Sequence, residues 1–122
     1  MNRPELLVVD DCESTRQVLG TIFRSLGWSV TLAATLAEGM AGLRQSPRCV
    51  ILDLGLPDGA GESILKTVRF DMPHTRVAVC SGLDDPRRLS TVRDLKPDLM
   101  LWKPYELAPL MQLCEAALAA PA

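Results

Sequence analysis

Three aspartates in this sequence follow directly after short apolar segments, at positions where they could act together. Asp10 and Asp11 follow the apolar residues 6–9, and Asp53 follows the apolar residues 49–52. Carboxylates held close together repel one another, and a hard divalent cation with oxygen ligands relieves that repulsion. Magnesium suits such a site because it binds through one or two carboxylates together with waters and phosphate oxygens. We therefore expect the three aspartates to bind Mg²⁺.

Two further polar side chains stand at equivalent positions. Ser81 follows the segment 76–80, and Lys103 follows the segment 99–102. An aspartate carboxylate is a competent phosphoryl acceptor that forms an aspartyl phosphate. A lysine ammonium offsets charge on a transferring phosphoryl group, and a serine hydroxyl donates a hydrogen bond to a phosphate oxygen. This set of residues predicts phosphoryl acceptance by Asp53.

The elements that must position these residues alternate regularly along the chain. Five apolar segments typical of buried strands alternate with five amphipathic segments typical of helices. Such alternation indicates one parallel sheet with helices on both faces, and right-handed crossovers bring the carboxyl ends of its strands to one edge. Ligands bind at that edge in open sheets of this class. The predicted strands are residues 6–9, 28–33, 49–52, 76–80 and 99–102.

Local signals mark several helix ends. Residues 14–17 and 35–38 have the form of capping boxes, in which a Ser or Thr is followed three residues later by Gln or Glu. Asp85 before Pro86 is typical of a helix start, and Gly27 predicts the end of the first helix.

Charged residues are distributed unevenly over the last two predicted helices. The fourth helix carries Arg87, Arg88 and Arg93, which we expect to form a solvated face. After position 105 the only charged residues are Glu106 and Glu115. Either this helix is well buried or its outer face contacts a partner, and we expect the partner contact.

The overall composition restricts the class of protein. The chain has 122 residues, of which 48% are hydrophobic, and a formal net charge of −2. This length suits one domain, and this apolar fraction argues against disorder. A slightly acidic chain lacks a general electrostatic attraction to nucleic acid or anionic membranes, and no segment approaches the ~20 apolar residues of a membrane span. We expect one domain over residues 1–122, a cytoplasmic location and no direct contact with nucleic acid or membrane.

The four cysteines do not form a metal-binding motif. They lack CxxC spacing, and the one histidine, His74, has no nearby ligand partner, which argues against a zinc site. We expect Cys49, Cys80 and Cys114 to be buried thiols. Cys12 is expected to be a loop thiol beside the acidic residues, where a redox role is the alternative to a purely structural one.

Four segments of the chain resemble the receiver domain of bacterial two-component response regulators. They are VVDD, VILDLGLPDGAG, VAVCSG and LWKPYEL, in this order and in the strand–helix rhythm described above. Each segment alone is a weak signal, whereas the ordered set covers nearly the whole chain. The resemblance implies a flavodoxin-like, doubly wound α/β fold with a five-stranded parallel sheet in the order 2-1-3-4-5 and five helices. It also implies a signalling switch rather than an enzyme, although such a domain assists its own phosphotransfer and slow dephosphorylation.

The resemblance implies a role for each residue of the site. For the metal, it implies Asp11 as the direct Mg²⁺ ligand, Asp10 in an assisting position, Asp53, and the backbone carbonyl of Gly55.

For the phosphoryl group, the resemblance implies Asp53 as acceptor, Ser81 as the hydroxyl switch residue and Lys103 as the phosphate partner before a cis bond to Pro104. The donor in that family is a phosphohistidine on a sensor histidine kinase or a histidine phosphotransfer protein. A homodimer through the face from the fourth to the fifth helix is a further expectation, and the output partner is left open.

Two positions depart from the usual pattern of that family. Met100 stands where Tyr or Phe is usual, and Lys96–Pro97 replaces a common Gly-Ala pair. Trp102 shares a face with Met100 by strand alternation and is a candidate to replace the switch aromatic. These departures leave open a pseudo-receiver, a binding module that signals without phosphorylation. A phosphatase of the haloacid-dehalogenase type is a second alternative, but it usually has a second Asp where this chain has Gly55.

Overall fold

A five-stranded parallel sheet lies at the centre of the molecule. The structure is a computed structural model that describes residues 3–119, so residues 1–2 and 120–122 of the predicted domain 1–122 lie outside it. The strands are β1 (Glu5–Val9), β2 (Ser29–Ala33), β3 (Cys49–Leu52), β4 (Gly55–Leu56), β5 (Gly59–Ala60), β6 (Arg76–Ser81) and β7 (Leu99–Trp102). The main sheet has the order β2-β1-β3-β6-β7, and β4 and β5 form a separate antiparallel hairpin. Counted without the hairpin, this is the predicted order 2-1-3-4-5.

Five α-helices connect these strands, as predicted. They are α1 (Glu13–Ser25), α2 (Leu36–Gly42), α3 (Glu62–Asp71), α4 (Pro86–Asp94) and α5 (Ala108–Ala119), with a short 3₁₀ helix at Leu43–Gln45. Within residues 3–119, no helix has both the length and the apolar character needed to cross a bilayer.

The central strands are buried on both faces, which explains why they are apolar without interruption. In β1, Leu6 and Val8 pack into one core cluster, whereas Leu7 and Val9 pack into the other cluster on the opposite face. β3 alternates in the same way. Because the strands are parallel and in register, their carboxyl ends meet at one edge of the sheet.

One of the two predicted capping boxes is wrong. α1 begins at Glu13 with Cys12 at the N-cap position, so Ser14 lies inside the helix and makes no cap hydrogen bond. The chain turns earlier than expected because Oδ1 of Asp10 accepts the backbone N–H of Cys12 at 2.9 Å. The backbone N–H of Arg16 donates to the Cys12 carbonyl at 3.0 Å. The N-cap therefore lies two residues before the predicted N-cap, Ser14.

The other predicted helix starts are confirmed. Oγ1 of Thr35 accepts the backbone N–H of Glu38 at 3.1 Å, and Oε1 of Glu38 accepts the N–H of Ala34 at 2.8 Å. Asp85 caps α4, with Pro86 as its first residue.

Gly27 and Lys96, which follow α-helices, lie in the left-handed region. Gly27 has φ +99° after α1, which confirms the predicted stop. Lys96 has φ +53° after α4, where it donates its backbone N–H to the Arg93 carbonyl at 3.0 Å. Lys96 therefore adopts, at some steric cost, a conformation that glycine adopts freely.

Candidate functional site

Three aspartates meet at the carboxyl edge of the sheet, as the sequence predicts. Asp10 follows β1 and is 3% exposed, and Asp53 follows β3 and is 7% exposed, whereas Asp11 is exposed. One carboxylate oxygen from each lies within 4.8 Å of the others. Since β1 and β3 are hydrogen-bonded neighbours, the residues that follow them are adjacent although some 40 positions separate them.

Lys103 lies between the two buried carboxylates. Its Nζ atom donates to Oδ2 of Asp10 at 2.9 Å and to Oδ2 of Asp53 at 3.0 Å. Burial opposes the charge on this ammonium, but its hydrogen bonds to the two aspartates outweigh that effect and raise the pKa of Lys103. The peptide bond between Lys103 and Pro104 is cis, as expected.

The donor set fits a hard divalent cation. Three carboxylates supply oxygen ligands, and the exposure of Asp11 leaves the site open to solvent and to a phosphate group. Gly55 lies next to the site, and its backbone N–H donates to Oδ1 of Asp53 at 3.1 Å. The carbonyl of Gly55 as a metal ligand stays a prediction.

Ser81 lies at the end of the neighbouring strand and hydrogen-bonds to its own loop and to the Lys103 backbone. It is buried at the end of β6, and its hydroxyl oxygen accepts the backbone N–H of Leu83 at 3.1 Å. Its carbonyl accepts the backbone N–H of Lys103 at 3.1 Å, which ties the β6 end to the β7 end. In residues 3–119 no hydrogen bond joins Ser81 to Asp53, so its switch role stays a prediction.

Met100 and Trp102 have different environments at the end of β7. Met100 is partly buried and packs against the core cluster that contains Val79. Trp102 is 48% exposed at the carboxyl end of the strand, opposite Ser81 in the β6–β7 register. The Trp102 side chain is therefore half in solvent, whereas Met100 occupies a position in the core.

The sequence interpretation missed the role of Arg88. Of the three arginines on α4, Arg87 and Arg93 are exposed as expected, whereas Arg88 is half-buried and forms an ion pair with Glu62. The hydrogen bond from Arg88 to Glu62 raises the pKa of the arginine. No sequence signal distinguishes Arg88 from its neighbours, because Glu62 lies 26 residues away on another helix.

Asp58 is a second residue whose role was not expected. It lies in the turn between β4 and β5, and its two carboxylate oxygens accept the backbone N–H groups of Leu36 and Ala37 at 2.6 and 3.0 Å. These hydrogen bonds lower the pKa of Asp58. The hairpin that follows Asp53 is thereby fastened to the start of α2.

The cysteines lie as predicted. Cys49, Cys80 and Cys114 are buried, and the Sγ atoms of Cys49 and Cys114 are 3.4 Å apart. Cys12 is exposed beside the acidic residues, where hydrogen bonding to Ser14 and then to Thr15 lowers the pKa of its thiol to about 7.

Apolar side chains are exposed along α1 and α5. They are Val18 and Leu26 in or just after α1, and Met111 and Leu118 in α5. A cavity of about 280 Å³ lies between the two helices, with Leu26, Met111 and Leu118 in its lining. The predicted partner contact of the charge-poor α5 stays a prediction, with these side chains as its exposed surface.

Comparison with known proteins relates most of the chain to one family. A family model described as the response regulator receiver domain matches residues 6–115. The KDP operon transcriptional regulatory protein KdpE of Escherichia coli (strain K12) is 31% identical over 114 residues, which are 93% of this chain and 50% of that protein. The acid tolerance regulatory protein ActR of Rhizobium meliloti (strain 1021) is 32% identical over 78 residues, 63% of this chain and 40% of that protein. The chain thus spans half or less of the length of these relatives.

Solved structures show the same fold. The CheY-like response regulator receiver domain protein from Methanospirillum hungatei JF-1 has a TM-score of 0.87 at 22% identity, covering 97% of this chain and 95% of that chain. The non-phosphorylated HemR receiver domain from Leptospira biflexa has a TM-score of 0.84 at 21% identity, covering 98% of each chain. The strand order, the acidic edge and the family match agree, and the chain belongs to the family of response regulator receiver domains.

Proposed function

We propose that this receiver domain is a phosphorylation-dependent switch in which Asp53 accepts a phosphoryl group from a phosphohistidine. The observation that carries the proposal is the position of the Lys103 ammonium between Asp10 and Asp53, at 2.9 and 3.0 Å. This arrangement supplies a nucleophilic carboxylate, a cation for the phosphoryl oxygens, and a further exposed carboxylate, Asp11, at the same edge. Receiver domains are signalling modules, and the proposed chemistry is self-assisted acceptance followed by slow hydrolysis.

The transfer step is a displacement at phosphorus. A carboxylate oxygen of Asp53 attacks, a P–O bond forms, the P–N bond to the donor imidazole breaks, and the released ring nitrogen takes up a proton from solvent. Lys103 keeps its ammonium at Oδ2 of Asp53 and offsets the negative charge that arrives with the phosphoryl group. Magnesium held by Asp10, Asp11, Asp53 and the carbonyl of Gly55 would supply further neutralisation of that charge.

The switch follows from the new charge at Asp53. The Ser81 hydroxyl is a hydrogen-bond donor that could turn toward the phosphoryl oxygens, which would release the N–H of Leu83 that it now accepts. Movement of that loop would alter α4 and the neighbouring end of β7, where Trp102 is exposed. The proposed donors are a sensor histidine kinase or a histidine phosphotransfer protein, and a homodimer through the α4–α5 face is one arrangement of the switched state.

Acetyl phosphate with Mg²⁺ tests the proposal without a protein donor. Intact-mass spectrometry is expected to show one added phosphoryl group in the wild type and none in Asp53→Asn, because an amide is not a nucleophile of this kind. Asp71→Asn, which alters an exposed aspartate at the end of α3, is the matched control and should be phosphorylated normally.

Other outcomes of this experiment identify the alternatives. A wild type that gains no phosphoryl group would be a pseudo-receiver. A chain that hydrolyses many equivalents of acetyl phosphate would be a phosphatase. A phosphoryl group added to Asp53→Asn, or found on Ser81, would assign the acceptor to another residue.

A further inference from the structure

Arg88 makes three hydrogen bonds that connect α4 to the segment after Asp53. Its Nε and Nη2 atoms donate to the two carboxylate oxygens of Glu62, each at 2.7 Å. Nη2 also donates to the backbone carbonyl of Leu54 at 2.9 Å. The Glu62 side chain is only 14% exposed, and a two-point pairing fixes the plane of the guanidinium. Arg88 is therefore held in one place against the chain that carries the acceptor.

The carbonyl that Arg88 contacts is part of the peptide group between Leu54 and Gly55. The N–H of that same peptide group donates to Oδ1 of Asp53 at 3.1 Å. Because a peptide group is planar, fixing the direction of its carbonyl also fixes the direction of its N–H. A cationic donor on the carbonyl polarises the group and strengthens the hydrogen bond that its N–H donates. One peptide unit thus joins the guanidinium to the acceptor carboxylate.

A second contact holds the same carbonyl. The backbone N–H of Gly61 donates to the Leu54 carbonyl at 3.1 Å. Gly61 approaches so closely that an added Cβ would lie 2.5 Å from the carbonyl oxygen of Asp53. The Leu54 carbonyl is therefore held both by the backbone N–H of Gly61 and by the Arg88 guanidinium.

We infer that Arg88 is a positioning residue for Asp53, which orients the Leu54–Gly55 peptide and so keeps the acceptor carboxylate in one orientation. The peptide N–H holds Oδ1, whereas the Lys103 ammonium holds Oδ2 at 3.0 Å, so the two oxygens of the carboxylate are distinguished. Glu62 acts through Arg88 by keeping the guanidinium in place. The inference rests on the proposed function, because it concerns the acceptance step at Asp53.

The rate of phosphorylation by acetyl phosphate at saturating Mg²⁺ tests this role. Arg88→Met is expected to slow acceptance about tenfold, the lower end of what the loss of a charge-assisted hydrogen bond produces. Glu62→Gln should slow it less, and the double variant should be no slower than Arg88→Met, because Glu62 acts only through the arginine. Arg93→Met, an exposed arginine of the same helix, is the control and should keep the wild-type rate.

The Gly55 amide signal in a ¹⁵N–¹H correlation spectrum gives a readout without any phosphoryl donor. Weakening of its bond to Asp53 is expected to move the amide proton upfield in Arg88→Met and not in Arg93→Met. Arg88→Lys keeps the charge but not the two-point geometry, so it should restore part of the shift and part of the rate.

The outcomes separate this inference from the proposed function. A wild type that is not phosphorylated, with a Gly55 signal that moves in Arg88→Met, removes the proposed function and supports the link from Arg88 to Asp53. Wild-type rates in Arg88→Met, or an unmoved Gly55 signal, overturn the inference while phosphorylation of Asp53 stands. Melting curves show whether each variant is folded. If Arg88→Met does not fold, the rate and the Gly55 signal of Glu62→Gln test the inference instead.

Discussion

The Nζ atom of Lys103 lies 3.0 Å from Oδ2 of Asp53, although 50 residues separate the two in the chain. The same ammonium lies 2.9 Å from Oδ2 of Asp10. Both aspartates are buried, and their mutual repulsion is offset by this single cation. A divalent cation bound here would act on the same carboxylates as Lys103, so the charge balance of the site can be tested by removing the lysine or by adding the cation.

Replacement of Lys103 tests how much its ammonium stabilises the two buried aspartates. Lys103→Met is expected to lower the free energy of unfolding by about 1–2 kcal/mol without divalent cations, because Asp10 and Asp53 lose their counter-ion. This is below the ~3–5 kcal/mol of fully buried pairs, since the ammonium is partly exposed. Urea unfolding in EDTA measures the change, with Lys66→Met on the exposed side of α3 as control. A variant as stable as the wild type would contradict the role assigned to Lys103.

Addition of magnesium tests whether the three aspartates bind a divalent cation. Millimolar Mg²⁺ is expected to raise the melting temperature, because a ligand that binds only the folded state stabilises it by mass action. Asp11→Asn should remove most of this gain, since Asp11 is the exposed carboxylate of the cluster. Asp71→Asn should keep it. Identical melting curves of the wild type with and without Mg²⁺ would argue strongly against the metal site.

Gly61→Ala tests the close approach behind Asp53. A Cβ at this position would lie 2.5 Å from the Asp53 carbonyl oxygen and 2.9 Å from Cα of Leu54, so the backbone must move. We expect a loss of about 1–3 kcal/mol in unfolding free energy, as for other overpacked sites, together with slower phosphorylation. Gly82→Ala is the control, because its Cβ would meet nothing nearer than Cβ of Lys103 at 4.0 Å. Equal stability of the two variants would show that the loop relaxes freely.

Trp102 is expected to report the switch. It is 48% exposed, whereas Trp28 is 3% exposed, so acrylamide quenching acts mainly on Trp102. Beryllofluoride, as a phosphate mimic on Asp53, should change the emission and quenching of Trp102 when the Ser81 loop moves. The change should vanish in Ser81→Ala and in Trp102→Phe. Normal phosphorylation with no change at Trp102 would mean that the signal leaves the site by another route.

Acid stability is expected to depend on Asp98. Burial raises the pKa of this carboxyl, but hydrogen bonds from the Val77 N–H and from Arg69 outweigh burial, and the pKa falls below its usual 3.8. A folded-state pKa below the unfolded value gives a stabilisation that is complete above the usual pKa and is lost as the pH falls through the lowered one. The stability difference between the wild type and Asp98→Asn should therefore be largest near about pH 6 and shrink toward about pH 2. A difference that does not vary with pH would assign the effect to packing.

Much of the site could be predicted because it depends on where strands end. Apolar segments stop at Asp10, Asp53, Ser81 and Lys103, and parallel strands bring such positions to one edge whatever the details of packing. The alternation of segments likewise predicted the fold, and Thr35 predicted its helix start from a purely local signal.

The remaining contacts depended on how the elements pack. Asp58 caps α2 from 22 residues away, and Arg88 pairs with Glu62 on another helix rather than with solvent. Each of these is a hydrogen bond between groups whose distance is set by helix and loop placement. A sequence pattern encodes which face of an element is buried, and so it determined the fold and the strand-end residues. Which polar partner meets which across two elements depends on their packing to within an ångström, and only the tertiary structure decided that.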